Sequence, residues 1–112
     1  MTHALAHTYD VSEREMIVNT DDVRVHTLRL TAEQTIPWHK HSNVDDTFLC
    51  MWGPMTVRTD GDDKEISLSP GERYTVAAGV GHYVEPATAD GTKFLLIQAV
   101  GKHDYIPLAE PV

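Results

Sequence analysis

The sequence predicts an all-β protein, a sandwich or barrel formed by one domain. Short runs of apolar and β-branched residues recur along the chain, and turns that contain glycine or proline separate them about every ten residues. No stretch shows the 3.6-residue periodicity of an amphipathic helix. The length of 112 residues suits one domain.

The strands are predicted from residue type, taken in chain order. The first clear one covers residues 23–30, a run of β-branched and apolar residues without a helix breaker. Residues 1–20 are interpreted as an N-terminal extension, with an edge strand as the alternative, and residues 21–112 as the barrel domain. The remaining predicted strands are residues 35–41, 47–52, 55–59, 64–68, 73–76, 81–85 and 93–100.

Glycine and proline mark the breaks between these strands. Gly53-Pro54 interrupts the strand that begins at residue 47, and Asp60-Gly61 is a strong hairpin signal. Ser69-Pro70-Gly71 predicts another turn. The polar segment Ser42-Asn43-Val44-Asp45 predicts a turn that resets the side-chain alternation of the strand that follows it.

Composition excludes several classes of partner. The formal net charge of −8 argues against nucleic acid or an anionic membrane, since both are bound through lysine and arginine. No apolar run approaches the roughly 20 residues of a membrane helix. Cys50 is the only cysteine, so no internal disulfide can form, which suits a reducing compartment. We therefore expect a soluble cytoplasmic protein.

Histidine is the residue type that points to chemistry. His39 and His41 lie two apart in a predicted strand, so both imidazoles point to the same face and can converge on one cation. After the turn, Asp46 begins a strand in which it shares a face with Phe48 and Cys50. His82 follows a glycine-rich bend and is a fourth candidate ligand, although spacing alone does not show that the four meet.

Two separated stretches of the chain resemble the cupin motifs. The first, G-x5-H-x-H-x3,4-E-x6-G, is matched by His39, His41, an aspartate at 46 and Gly53. In the second, G-x5-P-x-G-x2-H-x3-N, Gly71 and Gly79 precede His82 at the required spacing. The sequence departs from the motifs at four positions, which are Glu33, Asp46, Ala77 and Pro86. Asp45 is a competing carboxylate, but counting back from Gly53 selects Asp46.

The resemblance implies an antiparallel double-sheet jelly-roll barrel. It also implies one divalent transition metal ion per chain, held inside the barrel by His39, His41, Asp46 and His82. Imidazole and carboxylate ligands suit Fe, Mn, Co, Ni, Cu or Zn, whereas Ca²⁺ and Mg²⁺ prefer oxygen. Asp46 is shorter than the usual glutamate, so it is expected to bind the ion, to hold a ligand water, or to leave a site of three histidines.

Proteins of this kind include metal-dependent dioxygenases, isomerases and lyases that act on small organic substrates. A non-catalytic module that binds a small molecule or a metal is the alternative. Side chains weighed for secondary roles at the site are Gln98, Thr47, Tyr74, Trp38, Trp52, Cys50, His26, Arg58 and Arg73. The apolar side chains expected to line the pocket are Phe48, Met51, Val76, Val84, Phe94 and Leu96, while His3, His7 and His103 are expected at the surface.

A homodimer is expected for two reasons. A domain of this size buries only about two thirds of its unfolded surface. The segment Phe94-Leu95-Leu96-Ile97 is apolar on both faces of its strand, so that one face can fill the barrel and the other needs a cover. Twofold dimers are the commonest homo-oligomers.

Overall fold

The computed structural model describes residues 9–111, which form two five-stranded antiparallel sheets. The strands, in chain order, are β1 (Glu13–Asn19), β2 (Val23–Leu30), β3 (Ile36–Lys40), β4 (Asp45–Trp52), β5 (Met55–Thr59), β6 (Glu65–Leu68), β7 (Arg73–Val76), β8 (His82–Pro86), β9 (Thr92–Ala99) and β10 (Ile106–Pro107). The first sheet has the order β1-β2-β9-β4-β7 and the second β10-β3-β8-β5-β6. The predicted double-sheet all-β architecture is confirmed.

The predicted strands agree closely with the observed ones, and β2, β5 and β7 have the predicted bounds. β1 lies within the predicted extension and pairs with β2 at the edge of the first sheet, as the alternative interpretation proposed. β10 was not predicted, because two residues that include a proline carry no strand signal. The division between an extension and a barrel domain stays a prediction.

The predicted breaks lie where the chain changes direction. β5 and β6 form the hairpin signalled by Asp60-Gly61, with Arg58 paired to Glu65. Its loop is longer than a two-residue turn and is closed by the backbone N–H of Thr59, which donates to the Lys64 carbonyl at 3.0 Å. Gly53, between β4 and β5, has a φ of +70°, which glycine adopts at little cost.

Period-two alternation builds the core between the sheets. On β9, Phe94 and Leu96 point inward and are buried, whereas Leu95 and Ile97 point outward and are half-buried. The same alternation in both sheets produces one apolar cluster, which comprises Leu28, Leu30, Ile36, Phe48, Cys50, Met55, Val57, Leu68, Val76, Val84, Phe94 and Leu96. Cys50 thus packs as a small apolar side chain.

Within residues 9–111, no helix has the length and hydrophobicity that a bilayer-spanning helix requires. The expected cytoplasmic location stays a prediction. His3 and His7, expected at the surface, lie outside the described residues.

Candidate metal centre

The two sheets bring the four predicted ligands to one point inside the barrel. His39 of β3 is paired in register with His82 at the start of β8, so both imidazoles project from the inner face of the second sheet. His41 follows the end of β3, and Asp46 projects inward from β4 in the opposite sheet. All four residues are buried, and they offer ligand atoms that lie within 4.8 Å of one another.

The Asp46 carboxylate lies at the centre of this group. Its Oδ2 is 3.0 Å from Nε2 of His41 and 2.9 Å from Nε2 of His82. Its Oδ1 accepts a hydrogen bond of 3.1 Å from Nε2 of Gln98, the residue opposite Asp46 in the β4–β9 ladder. Gln98, one of the side chains weighed from the sequence, therefore orients the carboxylate.

Backbone carbonyl groups orient all three imidazoles in the same way. Nδ1 of His39 lies 2.8 Å from the Pro37 carbonyl oxygen, and Nδ1 of His82 lies 3.0 Å from that of Val80. Nδ1 of His41 contacts the carbonyl oxygen of Asp104. Because a carbonyl oxygen only accepts, each Nδ1 donates, and each Nε2 is directed toward the centre. Such an outer hydrogen bond is the usual companion of a metal-binding histidine.

Burial and the central carboxylate set the charges of these groups. Burial and the neighbouring His82 lower the pKa of His39 to about 3, so this imidazole is neutral near pH 7. Burial would raise the pKa of the Asp46 carboxyl, but the hydrogen bonds and positive charge that His41 and His82 supply when protonated outweigh it and hold that pKa below its usual range. Burial alone would lower the pKa of His41, but the hydrogen bond with Asp46, the charge of Asp46 and the contacts with Asp104 together outweigh it, and the pKa is raised.

The donor set and its spacing fit a transition metal ion. Opposite ligands of an ion with bonds of about 2.0–2.1 Å lie about 4 Å apart. The separations of up to 4.8 Å therefore require only a small movement of the side chains. Three imidazoles and one carboxylate suit the borderline divalent cations, and an ion that prefers six ligands would keep two positions for water or substrate. These four residues could therefore hold one metal ion.

The choice between the two adjacent aspartates follows from strand alternation. Asp45 is exposed, and its Oδ1 accepts a hydrogen bond of 2.9 Å from the backbone N–H of Ala78. Asp46 faces inward together with Phe48 and Cys50, as the predicted change of phase after the turn requires. Asp46 and not Asp45 belongs to the central group.

The other polar candidates lie away from the centre. Thr47 bonds with Thr75 on the exposed side of the first sheet, at 2.8 Å, and the Tyr74 hydroxyl donates to Asp63 at 3.0 Å. His26 is buried on the inner face of β2 but is not one of the four grouped residues.

The expected lining of the pocket is partly wrong. Met51 lies beyond the alternating part of β4 and is 46% exposed, whereas the other five apolar candidates are buried in the core. Arg73 is exposed, and Arg58 forms ion pairs of 2.8 Å with Glu65 and 2.9 Å with Glu85 on the second sheet. Neither arginine faces the four grouped residues, because both point to the outer side of their strands.

Two tyrosines near the centre were missed from the sequence. The ring of Tyr105 stacks on that of His39, with centroids 4.5 Å apart and planes at 13°. The ring of Tyr9 lies 6.1 Å from that of Tyr105 and packs against the core. Burial raises the pKa of Tyr105 to about 12, so its hydroxyl remains protonated at neutral pH. Both residues lie outside the predicted strands, where no local pattern marks them.

A cavity of about 520 Å³ lies on the opposite side of the second sheet from the central histidines. Trp38 and Tyr83 stack against one another in its wall, with ring centroids 5.8 Å apart. Since Trp38 is next to His39 and Tyr83 is next to His82, strand alternation directs these pairs to opposite faces. This outer cavity is therefore separate from the group of four candidate ligands.

Comparisons with known proteins agree with this architecture. No family model matches the chain. It is 29% identical to the D-lyxose ketol-isomerase of Cohnella laeviribosi over a 93-residue alignment, which covers 61% of this chain and 51% of that enzyme. The chain thus spans about half the length of this relative.

Solved structures resemble the chain across most of its length. One is a cupin-2 domain protein from Shewanella frigidimarina, with a TM-score of 0.65, 22% identity, and coverage of 80% of this chain and 82% of that one. Another is a protein with a double-stranded β-helix domain from Klebsiella pneumoniae, with a TM-score of 0.75, 19% identity, and coverage of 88% and 80%.

Proposed function

We propose that this chain, which has the cupin fold, is a metal-dependent enzyme that isomerises a small polyhydroxylated carbonyl compound. The observation that carries the proposal is the convergence of three buried imidazoles and one buried carboxylate on a single point. The reaction type is suggested by the similarity to a sugar ketol-isomerase, which spans about half of that enzyme. One divalent transition metal ion per chain would be held by His39, His41, Asp46 and His82.

Such an ion would polarise the carbonyl and hydroxyl oxygens of the substrate, while a ketol isomerisation moves one hydrogen between the two adjacent carbons and one proton between these oxygens. The protein itself orients the ligands and offers a hydrogen-bond donor to the substrate. Gln98 and the three backbone carbonyl groups fix the ligands in orientation, so little reorganisation is needed. Tyr105, stacked on His39, offers a protonated hydroxyl that can donate a hydrogen bond to a substrate oxygen. Its closeness to a ligand positions it for substrate contact.

The test is a metal analysis combined with an assay of sugar isomerisation. Protein purified without an affinity-column metal is expected to contain about one equivalent of a transition metal per chain and to interconvert aldoses and ketoses. Asp46→Asn is expected to lower the metal content and the turnover together. Bound metal without turnover on any sugar of a pentose and hexose panel would favour the alternative, a non-catalytic binding module. Protein that takes up no metal would contradict both.

We also propose that the chain forms a homodimer through the outer face of the first sheet. Val25, Ile97 and Thr47 lie side by side across β2, β9 and β4. The next row contains Thr27, Leu95 and Leu49 in the same order. These side chains are half-buried in the single chain and form a continuous, mainly apolar surface at the middle of the sheet. A second copy of this chain would cover it by a twofold packing of the two sheets.

Light scattering after size-exclusion chromatography is expected to give twice the chain mass of 12.5 kDa. Leu95→Glu places a charge at the middle of the proposed interface and is expected to give the monomer with unchanged circular dichroism. Ser67→Glu adds the same charge to the exposed side of the second sheet and is the matched control. A wild-type protein that elutes as a stable monomer would contradict this interface.

A further inference from the structure

Arg14 is a charged side chain that points into the barrel from its edge strand. On β1 it is paired with Leu28 of β2, which is fully buried on the inner face of the first sheet. Paired residues of antiparallel strands project to the same face, so the guanidinium of Arg14 is directed inward. The neighbouring Glu13 and Glu15 are exposed on the outer face.

The inner end of Arg14 is buried without a counter-charge among residues 9–111. Nη1 and Nη2 of Arg14 are shielded from solvent, and within residues 9–111 no acceptor meets hydrogen-bond geometry with either atom. The Tyr9 hydroxyl interacts with the guanidinium, but burial raises the pKa of Tyr9, so this neighbour is neutral at pH 7 and does not balance the charge. No carboxylate of the described residues forms an ion pair with Arg14. A buried charge without a counter-charge is unfavourable by several kcal/mol, and buried charges in proteins are normally paired. The unused donors of Arg14 are thus suited to an anion that the chain does not itself provide.

A line of aromatic contacts connects this guanidinium with the candidate metal centre. The Arg14 guanidinium carbon lies 5.3 Å from the ring centroid of Tyr9. Tyr9 lies beside Tyr105, and Tyr105 stacks on His39. Arg14 and the two phenol groups therefore stand on the same side of the barrel interior, next to one of the four ligands. Arg14 is therefore connected with the ligand His39 through the two phenol rings.

The Asp46 carboxylate, which also faces the barrel interior, already has three side-chain partners. The oxygens of Asp46 contact Gln98, His41 and His82, and neither a hydrogen bond nor an ion pair joins Asp46 to Arg14. Planar guanidinium groups bind carboxylate and phosphate groups through two parallel hydrogen bonds. Nη1 and Nη2 of Arg14 can donate such a pair of hydrogen bonds to an anionic group.

We propose that Arg14 binds an anionic group, a carboxylate or a phosphate, on the substrate of the candidate metal centre. This inference rests on the proposed function and narrows its substrate class to acidic sugars, namely sugar acids or sugar phosphates. Arg14 thus acts as a specificity-determining residue, and Tyr9 holds its guanidinium in place.

The test uses three small probes that differ in charge, measured by calorimetric titration of the Zn²⁺-loaded protein. Erythritol is neutral, erythronate carries a carboxylate, and erythritol 4-phosphate carries a phosphate. One of the two anions is expected to bind at least about tenfold more tightly than erythritol, because a bidentate pair with arginine is a strong interaction. Preference for erythronate indicates a sugar acid, and preference for the phosphate indicates a sugar phosphate.

Arg14→Met is expected to remove this preference, so that the anion binds as weakly as erythritol. The Zn²⁺ content should be unchanged, and the melting temperature of the ligand-free protein should be equal or higher, because an unpaired buried charge is lost. Arg14→Lys should restore part of the preference. The matched control is Arg29→Met, since Arg29 lies on the outer face of the same sheet over Trp52.

Two results would overturn the proposal. One is a wild-type protein that binds Zn²⁺ and does not distinguish the anions from erythritol. The other is an Arg14→Met variant that retains the full preference. Loss of Zn²⁺ binding in the wild type itself would instead contradict the proposed function, so the two failures are distinguishable.

Discussion

Replacing His82 by alanine is expected to lower the affinity for the metal ion by at least about 100-fold, since loss of an outer hydrogen-bond partner alone typically reduces it 10–100-fold. His82 is buried, directs Nε2 to the centre and contributes one of four ligands. The variant also leaves Oδ2 of Asp46 with one imidazole partner in place of two. Metal content after dialysis and isomerase turnover should therefore fall together.

The control for this variant is His103→Ala. The ring of His103 lies 5.0 Å from that of His41, but His103 is not one of the four grouped residues. This variant should keep its metal. Circular dichroism of both variants should match that of the wild type. Full metal occupancy in a folded His82→Ala protein would show that the ion is held elsewhere.

Replacing Gly53 by alanine is expected to destabilise the fold by at least about 3 kcal/mol, a large part of the 5–15 kcal/mol that is typical of a domain. Gly53 has a φ of +70°, where an L-residue is strained. In addition, a Cβ atom at this position would overlap the backbone carbonyl oxygen of Gly91 and lie 3.1 Å from its carbon. The clash is with backbone and not with a flexible side chain, so the two loops that contain Gly53 and Gly91 would have to move apart.

Gly71→Ala separates the strain of a positive φ from the steric clash of a new Cβ atom. Gly71 has a φ of +92°, but a Cβ atom there would meet nothing within 4 Å. This variant should lower the free energy of unfolding only by the cost of the strained φ, about 1–2 kcal/mol. Thermal unfolding should show a decrease of more than about 10 °C for Gly53→Ala and roughly half of that or less for Gly71→Ala. Equal decreases would show that the contact with Gly91 is relieved without cost.

Local patterns were sufficient for most of the barrel. Alternation and turn residues predicted the bounds of β2, β5 and β7, because in these segments the hydrophobic period and the breakers agree. The change of phase after residues 42–45 correctly placed Asp46 on the inner face beside Phe48. The spacing to Gly53 pointed to the same aspartate, and the structure brings it together with the three histidines.

Features that depend on long-range register could not be predicted. The inward direction of Arg14 follows from its pairing with Leu28 and from a shift in the β1–β2 ladder between Met16 and Val18. Tyr105 reaches His39 because the segment after β9 returns to β3, where β10 pairs. Neither arrangement leaves a periodic signal in the neighbouring sequence.

The edge position of β1 has a consequence for how such a protein can be re-engineered. β1 pairs with one strand only, so its exchange disturbs a single ladder and leaves the histidine-bearing sheet untouched. If Arg14 of β1 binds the charged group of the substrate, then substrate selectivity depends on a strand that carries none of the four candidate metal ligands. Grafting an alternative first strand is thus a direct route to a changed substrate range.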